Sequence, residues 1–552
     1  MTRLVALVVL ALLAVPRPLR ADPAPPKLVV IVVVDQMRRD YVDDYGGKWT
    51  KGLRRIFDQG AWFTEAAYPY LTTLTCSGHA TIATGTLPAT HGIVNNQWWD
   101  RDSQQLIPCN FDPTTQEVPY DNNRQRGMGA SARLVKVPSF ASALSDATHG
   151  QGRVVALSIK RASATMLAGQ KGDVVLWLQG GGFSSSTAYG PTPQKSIARY
   201  LDNNPILADF GKPWSRMGKA SDYKYADDGV AEKPPSEWDT KFPHLLQPRS
   251  GKPTTFFYEA WDESPYSDAY VGRLAGEAID GLKLGRGPAT DYLAISFSAL
   301  DVVGHDFGPR SHEIQDILMR LDDTIGDLLD DLDKKVGRDN YVLAFTADHG
   351  VATIPEQAAA EGTDAGRLKM TNMMALADAI VSKKFGPGKW VALEAYTEFY
   401  FRAGVFDRIA ADPDLLAELI KGLSAQPGVK EVIDGRKLAA PPDPAVPEDA
   451  EMTAARKSYF AGRSGDLVII EKPNWIFVSD DKTLIPGNAT THGSPYPYDQ
   501  RVPLVFLGDH IAKGHFTEAC SPADIAPTLS RITGVPLPTA TGQVLTEALP
   551  AQ

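Results

Sequence analysis

Three short apolar runs, far apart along the chain, each lead into an aspartate. Leu28-Val29-Val30-Ile31-Val32-Val33-Val34 runs straight into Asp35, Tyr292–Phe297 precedes Asp301, and Tyr341–Thr346 precedes Asp348. Each run is rich in β-branched and aromatic residues. That pattern belongs to a strand buried on both faces, as in a parallel sheet covered by helices. Glu313–Leu332 supplies one such cover, with Ile314, Ile317, Leu318, Leu321, Ile325, Leu328 and Leu329 at helical spacing. Further strands are expected at Arg153–Ser158, Val174–Leu178 and Arg501–Leu507, and helices at Lys51–Gln59 and Ala523–Ile532. The expected fold class is α/β, a three-layer α/β/α sandwich around a mostly parallel central sheet. Ligands of open α/β sheets bind beyond the carboxyl ends of the strands, so the three acids are placed at one rim.

The start of the chain is read as a leader. Met1-Thr2-Arg3 is basic, Leu4 to Val15 is apolar but too short to span a bilayer, and cleavage is expected near Ala21. Residues 1–21 are therefore expected to be removed on export to a periplasmic or extracellular space, with no stable membrane association afterwards. Residues 22–552 are read as a single domain with insertions at about 179–253 and 352–485. The first is rich in Gly, Ser, Pro and Trp; the second holds strand-like Ala395–Arg402 and Asp466–Ser479. The formal charge of −10 falls to −13 once Arg3, Arg17 and Arg20 are gone, which argues against a nucleic-acid binder. Nothing argues for an obligate dimer, and a monomer is expected. Of three cysteines, Cys109 and Cys520 are a pair that an oxidising compartment could join, which the sequence alone does not establish, and Cys76 is read as a small buried residue.

Four stretches carry metal-ligand chemistry when taken together. Asp301 and His305 are four apart and share one face of a helical turn. In Asp348-His349-Gly350, the glycine permits the turn that brings both side chains to one side. His492 lies in the small-residue loop Thr490–Ser494. With Asp35, these acids and imidazoles suit zinc, and two close zinc ions suit phosphoryl chemistry. Thr75 stands before a helical stretch, where free N–H groups face an anion. A metal-bound threonine hydroxyl is acidic enough to act as a nucleophile near neutral pH.

The motifs Val33-Val34-Asp35-Gln36-Met37-Arg38, Thr75–Gly85, Thr90–Asn96, Arg463–Asp466, Val502–Phe506 and Asp524–Leu529 resemble the alkaline phosphatase superfamily. More narrowly, they are similar to its exported, threonine-nucleophile, zinc-dependent members of the phosphate-irrepressible type. The resemblance covers nearly the whole mature chain. It implies an alkaline-phosphatase-like fold with capping insertions and two Zn2+ ions. Thr75 corresponds to the phosphorylated nucleophile. Asp35, Asp348 and His349 match the ligands of the zinc that activates it, and Asp301, His305 and His492 those of the other. Asn96 matches a phosphate-oxygen donor, with the Cys76 N–H adding another, and Lys160 a basic phosphate contact.

One position departs from that pattern. The family carries Lys-x-Arg where this chain reads Lys160-Arg161-Ala162. A guanidinium suits the extra charge of a monoester, so the monoesterase reading depends on Arg161 reaching the site. The expected activity is hydrolysis of small phosphate monoesters through phospho-Thr75. The alternatives are a phosphodiesterase or nucleotide pyrophosphatase on the same scaffold, and an exported zinc-binding protein without catalysis. A sulfatase is disfavoured, because Cys76-Ser77-Gly78-His79-Ala80 lacks the proline and arginine of the formylglycine signal.

Overall fold

The computed structural model describes residues 24–121, 127–445, 447–479 and 487–550. The expected leader at residues 1–21 lies outside them. The elements that build the central sheet are, in chain order, β1 (Leu28–Val34), α1 (Gly52–Gln59), β2 (Ala61–Phe63), α2 (Thr75–Thr84), β3 (Phe111–Pro119), β4 (Met128–Ala130), β5 (Val154–Ser158), α3 (Arg161–Ala168), β6 (Val174–Gln179), β7 (Gly182–Ser186), α4 (Pro265–Gly281), β8 (Asp291–Phe297), α5 (Ala299–Phe307), α6 (His312–Lys335) and β9 (Tyr341–Thr346). After residues 352–485 the chain returns with β10 (Leu504–Gly508), β11 (Gly514–Phe516) and α7 (Ile525–Thr533).

These strands form one eleven-stranded sheet in the order β11-β2-β10-β9-β1-β8-β5-β6-β7-β3-β4. Its middle, β9-β1-β8-β5-β6, is parallel throughout. The expected strand at Arg501–Leu507 is β10, and it runs antiparallel to β9. Alternation along β1 splits its side chains between two layers. Leu28, Val30, Val32 and Val34 pack with α4 and α6, and Val29, Ile31 and Val33 pack with α7 and Ile82 of α2. All seven residues are fully buried. A strand clad on both faces cannot show a polar side, which is why the run reads as unbroken hydrophobicity. The expected three-layer α/β/α sandwich is therefore the observed fold. Val34 pairs with Phe297 and Val33 with Thr346, so the three strands end level.

Residues 352–485 carry their own four-stranded sheet. The expected strand Ala395–Arg402 is a hairpin, Val391–Ala395 paired antiparallel with Glu398–Phe401. The turn falls at Tyr396, which takes a left-handed backbone (φ 54°) without being glycine. Likewise Asp466–Ser479 is two strands in two sheets: Leu467–Glu471 joins the four-stranded sheet and Trp475–Val478 pairs with Gly366–Lys369.

The cysteine expectation is overturned. Cys76 is bonded to Cys109, and Cys520 is the free, half-buried thiol. Asn96 brings the pair together, because its side-chain oxygen takes the Cys76 N–H and its carbonyl takes the Cys109 N–H (both 2.9 Å). Cys520 lies elsewhere, bridged to Ala66 after β2.

Candidate active site

Level strand ends place three carboxylates at one rim. Asp35 follows β1 directly, and its N–H bonds to Phe297 O at the end of β8. Asp301 lies in the first turn of α5 and His305 one turn on, so the expected shared face is present. Asp348 and His349 follow β9 and both side chains are fully buried in the same pocket. His492 arrives on a loop tied to α5, where the N–H groups of Ala489 and Thr490 bond to His305 O. One donor atom each from Asp301, His305 and His492 lies within 4.8 Å of the others, and the same holds for Asp35, Asp301 and His349.

The three imidazoles are held alike. His305 Nδ1 meets Thr490 O (2.9 Å), His349 Nδ1 meets Gly350 O (2.9 Å) and His492 Nδ1 meets Thr73 O (2.8 Å). A carbonyl only accepts, so each Nδ1 carries a proton and Nε2 is the nitrogen each ring has left to offer a cation once the ring is neutral. Those Nε2 atoms converge on the carboxylates: His349 lies 3.4 Å from Asp35 and 3.3 Å from Asp348, while His305 and His492 lie 3.4 and 3.6 Å from Asp301. Burial pushes His492 and His305 below the usual imidazole range. For His349 burial is outweighed by Asp348, then Asp35 and Asp301, and it is pushed up to about 9. Burial and the Asp348 charge hold Asp35 well above the usual carboxylate range.

Lys160 caps the start of α3 and reaches across this cluster. Its ammonium is 2.8 Å from Asp35 and in contact with Asp301. It draws together two acids assigned from sequence to different ions, so Asp301 belongs to both donor groups. Asp348 is engaged instead by Gln36 N–H (3.1 Å) and by His79 Nδ1 (3.2 Å). Among the described residues, both Asp35 oxygens and Asp348 Oδ2 are buried without an aligned hydrogen bond. Buried carboxylates are normally paired or bound to a cation, so the donor set fits one.

Thr75 is the first residue of α2, and its Oγ1 is 3.3 Å from His349 Nε2. Helix α2 lies hard against the Asp348 backbone: a Cβ on Gly78 would stand 2.2 Å from Asp348 O. Asn96 sits at the start of α2. The Cys76 N–H, expected to face an anion, is given to Asn96 Oδ1. Arg161 is not brought in. It opens α3, burial lowers its pKa, and the carboxylate acting on it is Glu117 of β3. Among the described residues no hydrogen bond or ion pair joins its side chain to the cluster. Ala162, at the gap-free arginine position, packs near the Cys76–Cys109 pair.

Two buried residues were missed by sequence reasoning. Gln36 touches Asp301 and Asp348, and His79 touches Asp348, Thr75 O (2.8 Å) and Ser296 (3.0 Å). His79 lies four residues after Thr75, a spacing that would have placed both on one helix face.

A parallel sheet whose strand ends gather acids and imidazoles around a helix-borne threonine is the architecture of the alkaline phosphatase superfamily. Within it, the chain belongs to the type I phosphodiesterase / nucleotide pyrophosphatase family, which matches residues 29–495. It is 29% identical to alkaline phosphatase PafA of Elizabethkingia meningoseptica, over 95% of this chain and 94% of that one. It is 30% identical to alkaline phosphatase PhoV of Synechococcus elongatus, over 95% and 93%. A Myroides odoratus relative, 30% identical over 93% of this chain and 92% of its own, is named a calcium-transporting ATPase. Among the described residues no helix of this chain is long and apolar enough to cross a membrane. The crystal structure of wild-type PafA superposes with a TM-score of 0.85 at 28% identity, covering 96% of this chain and all of PafA.

Proposed function

We propose that the chain is an exported, zinc-dependent phosphatase that hydrolyses small phosphate monoesters through a covalent phospho-Thr75. One observation carries the reading: three imidazoles, each with Nδ1 committed to a backbone carbonyl, turn Nε2 onto buried carboxylates beside the Thr75 hydroxyl. Asp35, Asp348 and His349 would hold one zinc with Thr75, and Asp301, His305 and His492 the other; mixed carboxylate and imidazole donors suit that ion. Bound there, the ions would supply the positive charge that acidifies a hydroxyl and offsets phosphate charge.

The protein's own part follows from the geometry. The N-terminus of α2 directs its dipole at an incoming phosphate. Thr75 Oγ1 bonds to phosphorus as the ester P–O bond breaks, and water then cleaves the Thr75 ester, releasing inorganic phosphate and restoring the hydroxyl. The Asn96 amide and the Lys160 ammonium would hold non-bridging oxygens. Names of the relatives support the reaction class. A Cys76–Cys109 disulfide supports an oxidising, extracytoplasmic setting, in keeping with the leader and a monomeric enzyme.

A second reading, a phosphodiesterase or nucleotide pyrophosphatase, is favoured by one observation. No hydrogen bond or ion pair among the described residues joins Arg161 to the cluster, so Lys160 is the one basic side chain brought to it by such contacts. Comparing kcat/KM for an aryl phosphate with that for an alkyl-aryl diester decides between them; a higher value for the diester overturns the monoesterase reading. Thr75→Ala is expected to abolish turnover with zinc retained, and Thr75→Ser to keep substantial activity. Near-normal rates in Thr75→Ala would remove the nucleophile. Full zinc with no phosphoester turned over would leave a binding protein.

A further inference from the structure

We propose that Gln36 is the positioning residue that fixes the carboxylates of the two metal subsites relative to each other; the inference rests on the metal reading above. Gln36 directly follows Asp35, is fully buried, and holds a left-handed backbone with φ 67°. A non-glycine residue keeps that conformation only where its surroundings enforce it, and such residues gather at functional sites.

The left-handed turn sends its two donors in different directions. The backbone N–H reaches Asp348 Oδ1 at 3.1 Å, and the side-chain Nε2 reaches Asp301 Oδ1 at 2.6 Å. One residue thus touches three acids: Asp35 through the chain, Asp348 through its backbone, and Asp301 through its amide. The contact on Asp301 sets the rotation of that carboxylate. Oδ1 takes the Gln36 amide and faces His305 and His492, while Oδ2 takes Lys160.

Helix α5 is shaped to admit this side chain. A Cβ on Gly304 would stand 1.9 Å from Gln36 Oε1, and Gly304 lies between Asp301 and His305. Glycine inside a helix is unfavourable relative to alanine, and Gly304 has no left-handed φ to require it. Space for the Gln36 amide accounts for it. Among the described residues Oε1 accepts no hydrogen bond although buried, so the amide is held by its donor. A carboxylate here would lose that donor and add charge beside three acids.

Four variants test the role: Gln36→Gly, Gln36→Ala, Gly304→Ala and the double Gln36→Ala/Gly304→Ala. Zinc stoichiometry and dissociation constants are read by chelator competition, together with kcat and KM on an aryl phosphate. Thermal unfolding of each zinc-free variant checks that it folds. Gln36→Gly relieves the strained backbone and keeps the N–H to Asp348, so it isolates the amide. Its affinity for one of the two zinc ions is expected to fall about 10–100-fold. Its kcat should fall while KM holds, because the substrate's phosphate contacts lie elsewhere. Gly304→Ala, by displacing the amide, should give the same loss, and the double variant should be no worse than either single one. Wild-type affinity for both ions in Gln36→Gly, or losses that add in the double variant, would overturn the proposal. Absence of bound zinc in the wild type would instead overturn the metal reading beneath it.

Discussion

Reduction of the Cys76–Cys109 bond should weaken both the fold and the grip on phosphate. The bond closes a loop with a sequence separation of 33 residues. The chain-entropy cost of closing such a loop is about 4 kcal/mol at room temperature, and opening it returns that freedom to the unfolded chain. Both sulfurs are buried in a satellite apolar cluster with Trp98 and Met166, so their replacement by serine would also leave polar groups in an apolar setting. The comparison is therefore best made on one wild-type preparation, oxidised and reduced, by urea unfolding at fixed zinc. The oxidised protein should show one thiol in denaturant and the reduced protein three. A functional loss should accompany the stability loss. Asn96 is held by the N–H groups of both half-cystines, so inorganic phosphate should inhibit the reduced enzyme several-fold less well while its zinc content stays the same. Three thiols in the unreduced protein would refute the pairing. A stability difference under about 1 kcal/mol would refute the loop-closure reasoning.

Acid should destabilise the fold through His91, which is pushed down from 6.5 to about 3 by burial and the Arg463 charge. Its Nδ1 accepts the Ile93 N–H, so the neutral ring donates from Nε2 to Thr81. A depressed histidine contributes stability that is complete above its unfolded value and is lost as pH falls from 6.5 towards 3, about 2 kcal/mol by roughly pH 5. An unchanged slope of stability against pH in His91→Gln would refute it. Gly78→Ala should cost about 1–3 kcal/mol and lower kcat, because the added methyl meets the Asp348 backbone rather than a yielding side chain; wild-type Tm and kcat would show that α2 can shift freely. Lys160→Met should destabilise the zinc-free protein by about 3–5 kcal/mol by leaving Asp35 and Asp301 without their buried partner. Added zinc should restore much of this, and equal unfolding midpoints with and without the lysine under a chelator would contradict it.

The parts of the site carried by strands were legible because burial on two faces leaves a plain signature. Asp35, Asp301 and Asp348 stood out as charges at the ends of apolar runs, and the spacing of Asp301 and His305 already implied a helix. Strand direction was not legible: β10 has the same composition as its parallel neighbours, yet it runs against β9. The hairpin at Tyr396 was hidden because neither Gly, Asn nor Pro marks the turn. Gln36 escaped notice because its importance lies in a backbone angle and a facing glycine on α5. The cysteine pairing depends on where Asn96 holds the loop, which no residue spacing reveals.

The topology also sets a schedule for folding. Strand β1, made first, lies between β8 and β9, whose residues begin at 291 and 341, and the antiparallel neighbour of β9 begins at 504. A nascent chain therefore carries its most apolar strand without native edges until well over half the polypeptide has emerged. Pairing over such separations is slow and leaves sticky intermediates exposed. A chain wired this way gains from being shielded at least until β9 has been made.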